Sequence, residues 1–203
     1  MKVYLYIKRL FDVIISLLGL IVLSPLFLIV SLLIKLDSKG PVFFEQERLG
    51  YNGEVFTMYK FRTMVDGAPN MGSGLFTNEM DPRITKLGRL LRKTSLDELP
   101  QLINVLWGDM SLVGPRPPVP CHPYRYEDYS DEQKLRFTVL PGITGYAQVK
   151  GRNKIDWDQR IQLDVQYVEN QSLLLDLKII ANTVCNVLFK KDDIYSESRK
   201  EEG

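Results

Sequence analysis

The chain has 203 residues, enough for one domain with one appended element. A formal net charge of +1, from 26 Lys and Arg against 25 Asp and Glu, excludes the global basic field of a nucleic-acid binder. Cys121 and Cys185 stand far apart without CxxC spacing, and His122 is the sole histidine, so a disulfide framework and a zinc site are both set aside.

The first element is apolar. Residues 13–36 read VIISLLGLIVLSPLFLIVSLLIKL, with no charge from Val13 to Ile34. That is long enough to cross a bilayer. No small-residue cleavage site follows, as a removed signal would require. Almost no polar face is present, as a soluble helix would require. Ser24-Pro25 lies in the middle. Proline lacks an N–H and clashes with the carbonyl of Ile21, and the Ser24 hydroxyl is one candidate donor to that freed carbonyl. The helix either crosses with a kink or breaks there and returns to the same face. Lys2, Lys8 and Arg9 precede it, and Lys35 and Lys39 follow it. Positive charge at both ends favours the re-entrant form.

From Gly40 onward the pattern is a mixed α/β module. PVFFEQERLG and GEVFTMYKFRTM read as short strands around the turn GYNG. DGAPNMGSG is a loop. RITKLGRLLRK is helical, with Lys86, Arg89 and Lys93 near one face, and Leu99, Leu102, Ile103 and Leu106 continue at helix spacing. GPRPPVP is a rigid loop. LPGITGYAQVKGRN reads as a strand between two turns. Residues 157–169 and 172–189 are two further helices. The last sets Leu173, Leu177, Ile180, Val184 and Val187 against Asp176, Lys178, Asn182 and Asn186. It either packs on the module or lies at a membrane surface. The charged tail from Lys190 is expected to be flexible. The expected fold is therefore α+β and mostly helical. It comprises a membrane anchor over 1–39, a catalytic module over 40–189 and a tail over 190–203.

The chemistry centres on Asp97-Glu98 in TSLDELPQL. Ser95 at an N-cap would place Glu98 at N3, a capping box. Pro100 resists that arrangement, because it would remove a bond in the second turn. Basic residues surround the pair in sequence: Lys60 and Arg62 in YKFRTM, Arg89, Arg92 and Lys93 just before it, Arg116 in GPRPP and Arg152 in KGRN. Carboxylates among arginines suit phosphoryl chemistry, with the cations holding phosphates, one acid attacking and the other helping to bind Mg²⁺.

The stretches KRLFD, LSPLFL, PVFFEQERLG, YKFRTM, RKTSLDELPQLINVLWGDMSLVGPRP, PGITGYAQVKGRN, LDVQYV and LLLDLKII cover most of residues 8–180. In that order they resemble the small monotopic phosphoglycosyl transferases, the bacterial sugar transferases that start lipid-linked glycan assembly. Leu140 stands where members often carry a basic residue, and Tyr146 where tryptophan is common. No second long apolar run precedes the domain, which sets it apart from longer relatives with extra transmembrane helices.

The resemblance implies transfer of a sugar 1-phosphate from a UDP-sugar to undecaprenyl phosphate, with release of UMP and with Mg²⁺ as cofactor. It implies Asp97 as nucleophile, through a phosphosugar-aspartyl intermediate, and Glu98 as metal ligand. It implies Ser24-Pro25 as the break of a re-entrant membrane helix. Arg92, Pro115, Arg116, Pro117, Arg152 and Asp164 are the implied substrate contacts, beside Lys60 and Arg62. The implied location is the bacterial inner membrane, monotopic, with the site facing the cytoplasm among membrane lipids. A homodimer is left open. Nearby arginines and a helix N-terminus are expected to lower the pKa of Asp97. The rivals are a membrane glycosyltransferase that releases UDP and a non-catalytic scaffold of a polysaccharide assembly complex.

Overall fold

The computed structural model describes residues 2–71, 81–151 and 155–189. The expected tail over 190–203 and the end of the loop DGAPNMGSG, from residue 72, lie outside these residues. Helix α1 (Lys2–Asp37) is 36 residues long and runs through Pro25 without interruption. The expected break at Ser24-Pro25 is thus a local change of hydrogen-bond partner. The Ser24 hydroxyl donates to the Ile21 carbonyl at 2.8 Å, the acceptor that proline leaves free. One stripe of α1 meets the rest of the protein, with Asp12, Ser16, Val30 and Ile34 buried. The other side exposes Leu10, Leu18, Ile21, Val22, Leu28, Leu32 and Leu36. A helix that is apolar on its solvent side is built for lipid, and Tyr4–Asp37 is long and apolar enough to cross a membrane.

Both halves of α1 rest on the same module. In the first half, Lys8 Nζ and the Tyr4 hydroxyl each lie 2.8 Å from Asp176 Oδ2. Arg9 donates to the carbonyls of Val105 and Leu106 at 2.7 and 3.1 Å. Asp12 accepts from the Ser111 hydroxyl at 2.7 Å and from the Leu112 amide at 3.1 Å. In the second half, Leu26, Phe27, Val30 and Ile34 share a core cluster with Phe61 and Leu91.

The module begins with an antiparallel hairpin, β1 (Phe43–Leu49) and β2 (Val55–Phe61). The register pairs Phe44 with Lys60, Gln46 with Met58 and Arg48 with Phe56. Strand alternation therefore sets these six side chains on one face. Helix α2 (Lys86–Thr94) starts at Thr85, whose hydroxyl accepts from the Gly88 amide at 2.9 Å. It lies so close to the chain leaving β2 that any Cβ at Gly88 would strike the Thr63 carbonyl. Helix α3 (Gln101–Trp107) ends at Gly108, whose φ of 101° is open to glycine.

Strand β3 (Ser111–Val113) pairs in parallel with β4 (Gly142–Thr144). Their crossover holds the proline loop and the short α4 (Asp131–Lys134). Helices α5 (Tyr146–Lys150), α6 (Trp157–Asn170) and α7 (Leu173–Phe189) complete the order. The fold is α+β and mostly helical, as expected.

Two expectations are corrected. The strand around PGITG stops at Thr144, and Tyr146 already opens a helix, because β3 offers only three residues to pair. The faces of α7 also depart from expectation in part. Asp176, expected on the polar face, is buried, and Leu177, Val184 and Val187, expected on the apolar face, are exposed, whereas Ile180 packs on the core and Lys178 and Asn182 are exposed as expected. Asp176 tolerates burial because Lys8, Tyr4 and Tyr167 all donate to it.

Candidate active site

The acidic pair sits on a single 3-10 turn, Leu96–Glu98, wedged between α2 and α3. Ser95 enters it in the left-handed region, at φ 56° and ψ 17°. Its amide closes α2 by donating to the Arg92 and Leu91 carbonyls. The capping box is not formed. A residue that ends one helix in the left-handed region lacks the extended backbone an N-cap needs, and the Ser95 side chain caps nothing. Pro100 then delays α3 until Gln101. The pair is therefore held by a turn that leads through Leu99 and Pro100 into α3.

Glu98 Oε1 accepts from Lys60 Nζ at 2.7 Å and from Arg116 Nη2 at 3.0 Å. Burial pushes its pKa up, but Lys60 and Arg116 outweigh that and hold it well below the usual carboxylate range. Lys60, in turn, is pushed down by burial and pulled back by Glu98. Asp97 differs in both respects. It is 9% exposed and receives no hydrogen bond from any described residue. Burial raises its pKa to about 6, with Lys60, Arg92 and Arg116 opposing and the Glu98 charge adding to the rise. The expected lowering is thus overturned, because desolvation exceeds the pull of the cations.

Lys60, Arg92 and Arg116 therefore converge on the dyad. Arg92 is one turn beyond Gly88, and its Nε donates to the Thr63 hydroxyl at 2.8 Å. The close approach at Gly88 is what brings that arginine in. Pro115, Arg116 and Pro117 follow directly from β3.

Two expected contacts, Arg62 and Asp164, lie elsewhere. Arg62 points the other way and donates to the carbonyls of Lys39, Ser38 and Ile34, closing the end of α1. Two of those carbonyls belong to the turn just past α1, and the third, of Ile34, lies in its last turn, so Arg62 ties the end of the helix to the residues that follow it. Asp164 forms a buried pair with Arg136 at 2.6 Å behind the proline loop and does not reach the dyad. Arg152 lies outside the described residues. Lys86, Arg89 and Lys93 are exposed on α2.

Arg48 and Arg136 belong to the site's surroundings although no motif announced them. Arg48 donates to the Pro117 carbonyl at 2.9 Å and to Gln46 Oε1 at 2.6 Å. Burial and the neighbouring Arg116 lower it to about 10. The signal was present in FFEQERL: its inward positions, two apart, include Gln46 and Arg48, polar residues on the face a strand buries. Among the described residues no cluster of three or more His, Cys, Asp or Glu side chains is placed to hold a metal. Asp156-Trp157-Asp158 has the D-x-D spacing common in UDP-releasing glycosyltransferases, but both acids are engaged. Asp156 caps α6 through the Gln159 amide at 2.7 Å, and Asp158 accepts from the Tyr124 hydroxyl at 2.9 Å.

Comparison with known proteins identifies the chain's relatives. Residues 3–190 match the family described as bacterial sugar transferase. A Bacillus subtilis protein named as the uncharacterized sugar transferase EpsL is 48% identical over 90% of this chain and 87% of its own length. The undecaprenyl-phosphate glucose phosphotransferase of Komagataeibacter xylinus is 42% identical over 91% of this chain and 36% of its own length. The UDP-glucose:undecaprenyl-phosphate glucose-1-phosphate transferase of Escherichia coli is 42% identical over 88% of this chain and 39% of its own length. The chain thus spans well under half of the latter two relatives. With a match across nearly every described element, the chain belongs to the bacterial sugar transferase family.

Proposed function

We propose that the protein transfers a sugar 1-phosphate from a UDP-sugar to undecaprenyl phosphate and releases UMP, opening the assembly of a membrane-linked glycan or exopolysaccharide. One observation carries this reading. The two adjacent acids are split into a carboxylate neutralised by two cations, Glu98, and a carboxylate that receives no hydrogen bond from any described residue, Asp97, inside the same basic ring. An unbonded carboxylate keeps its lone pairs for attack. The names of the relatives in Escherichia coli and Komagataeibacter xylinus support the same chemistry.

In this reading an Asp97 oxygen attacks the phosphorus that carries the sugar. The bond to the UMP oxygen breaks, UMP leaves with the electron pair, and an acyl phosphate links Asp97 to the sugar. An oxygen of undecaprenyl phosphate then attacks the same phosphorus and frees the carboxylate. Lys60, Arg92 and Arg116 hold the phosphates and offset the charge that accumulates at phosphorus.

The donor set suits Mg²⁺, which takes one or two carboxylates together with phosphate oxygens and water. Glu98 Oε1 holds both cations while Oε2 has no hydrogen-bond partner among the described residues, so Oε2 is the atom suited to the ion. When bound, Mg²⁺ would screen the diphosphate from the anionic nucleophile.

The membrane element fits a re-entrant arrangement with the site facing the cytoplasm. A straight 36-residue helix would be about 54 Å long. Lys8, Arg9 and Asp12 at one end and Ile34 and Ser38 at the other all bond to a single polar module. A spanning helix would carry those ends to opposite sides of the bilayer. A shallow anchor instead holds the dyad at the depth of a polyprenol phosphate head.

The test separates the products. Protein in detergent or nanodiscs is given Mg²⁺, undecaprenyl phosphate and a panel of UDP-sugars, and UMP and UDP are assayed separately. UMP release that vanishes in Asp97→Asn is expected. UDP release would mean ordinary glycosyl transfer and would sink the aspartyl step.

A further inference from the structure

The loop Pro115–Pro118 contains three prolines, which have no N–H, so it cannot bond to itself as a turn does. All four of its carbonyls are nevertheless engaged from outside. The Gly142 amide donates to Pro115, and the Leu49 amide donates to Pro118, each at 2.9 Å. Arg136 Nη2 donates to the Arg116 carbonyl and Arg48 Nη1 to the Pro117 carbonyl, again at 2.9 Å. The middle two carbonyls, which fix the direction of the Arg116 side chain, are thus held by guanidinium groups.

Arg136 is 2% exposed and Asp164 1%. Asp164 Oδ2 accepts from both Nε and Nη2 of Arg136, at 3.2 and 2.6 Å. Arg136 Nη1 and Asp164 Oδ1 have no hydrogen-bond partner among the described residues. Only the edge of the pair turned to the loop is bonded. A buried ion pair is poor evidence of a contribution to stability, since apolar residues of like volume often do as well. What such residues cannot supply is the donor to the Arg116 carbonyl.

We propose that Arg136, oriented by Asp164, is a positioning residue that fixes the backbone of Arg116 and so the place where the Arg116 guanidinium meets Glu98. The chain of contacts runs from α6 through the 3-10 turn Leu135–Phe137 to the proline loop and the dyad. The role rests on the function proposed above, because Arg116 there holds substrate phosphate. It replaces direct substrate contact as the task of Asp164.

The test uses the full chain in nanodiscs and the double variant Arg136→Met/Asp164→Leu, which removes both buried charges together, beside the single Arg136→Lys. Three quantities are read: the thermal midpoint, amide hydrogen exchange at Arg116 and Val119, and UMP release with UDP-glucose, UDP-galactose and UDP-N-acetylglucosamine as donor probes. The double variant is expected to melt close to wild type, to exchange faster at Arg116, and to lose about a hundredfold in kcat, the scale of a misplaced binding group. Arg136→Lys keeps the charge but not the fork, and is expected to lose kcat as well. A double variant that regains wild-type melting and wild-type turnover together would overturn the positioning role. A wild-type protein that releases no UMP from any of the three donors tells against the proposed function alone. The exchange measurement then still decides this role, and unchanged exchange at Arg116 in the double variant overturns it.

Discussion

Lys60 Nζ lies 2.7 Å from Glu98 Oε1 and gives its hydrogen bond to that acid, leaving Asp97, one residue earlier, without a donor among the described residues. The two carboxylates share a turn and a field of cations, yet one is fixed and the other is available. The environment, more than residue type, divides their roles.

The first consequence concerns pH. In the proposed reaction Asp97 must be ionised to attack, and burial has raised it to about 6. Glu98, held well below the usual range, adds no titration above pH 5. Single-turnover UMP release without acceptor, which removes the acceptor phosphate's own titration, is expected to fall about tenfold per pH unit below about 6. A rate that stays flat down to pH 4.5 would contradict the burial of the nucleophile.

Asp97 should also weaken the fold at neutral pH. A carboxyl whose folded pKa exceeds its unfolded value stabilises the folded state below the unfolded pKa, and that contribution is lost as pH rises through the folded pKa. Asp97→Asn escapes this penalty. It is expected to be inactive and more stable at pH 7.5 by on the order of 1–3 kcal/mol, with the gain fading below about pH 4. Denaturant unfolding of both proteins at the two pH values checks this, and a destabilised variant at pH 7.5 would refute it.

Asp176 binds the two ends of the chain together, accepting from Tyr4, Lys8 and Tyr167. Asp176→Leu leaves the Lys8 ammonium buried without its anion and should cost about 3 kcal/mol. Adding Lys8→Met should recover much of that loss. If thermal scans find the double variant no better than the single one, the ion pair is not the origin of the effect.

Arg62 closes α1 and stands apart from the dyad. Arg62→Met is expected to lower the thermal midpoint, since it strips donors from buried carbonyls, at a cost of about 2 kcal/mol. Turnover per folded molecule should be unchanged. Lost turnover at an unchanged midpoint would return Arg62 to the active site.

Pro25→Leu restores an ordinary hydrogen-bond ladder at the centre of α1. In the re-entrant arrangement an N-terminal tag on the wild-type chain is reached from the cytoplasmic side alone. The variant is expected to shift part of the population to a tag reached from outside. A wild-type tag reached only from outside would mean that the segment spans.

Much of this was legible in the sequence, and what was not has physical causes. The hairpin, α2, α6, α7 and the convergence of Lys60, Arg92 and Arg116 on Asp97-Glu98 follow from alternation, helix spacing and motif order. Arg62 was misassigned because alternation puts it on the same face as Lys60, and nothing in YKFRTM says that β2 ends at Phe61 and frees Arg62 to turn to the end of α1. Asp97 was expected to be more acidic because sequence displays charges and hides burial. Ser95 looked like a cap because S-x-x-E fits the pattern, and only the end of α2 reveals its left-handed backbone. Arg136 was invisible because its task, a bond to a main-chain carbonyl 20 residues away, leaves no trace in local spacing.

The hydrogen bond from Ser24 to the Ile21 carbonyl has a consequence for how the anchor travels in evolution. A proline inside lipid frees a carbonyl that a neighbouring helix, a Ser or Thr side chain or a water must satisfy. Here the donor comes from the adjacent residue of the same helix. The anchor is therefore self-sufficient at its weakest point, needing no companion within the bilayer. It is portable: joined to other membrane segments, it would keep its shape without any of them adapting to it. Relatives more than twice as long, which this chain matches over only part of their length, are what such a cassette would be expected to produce.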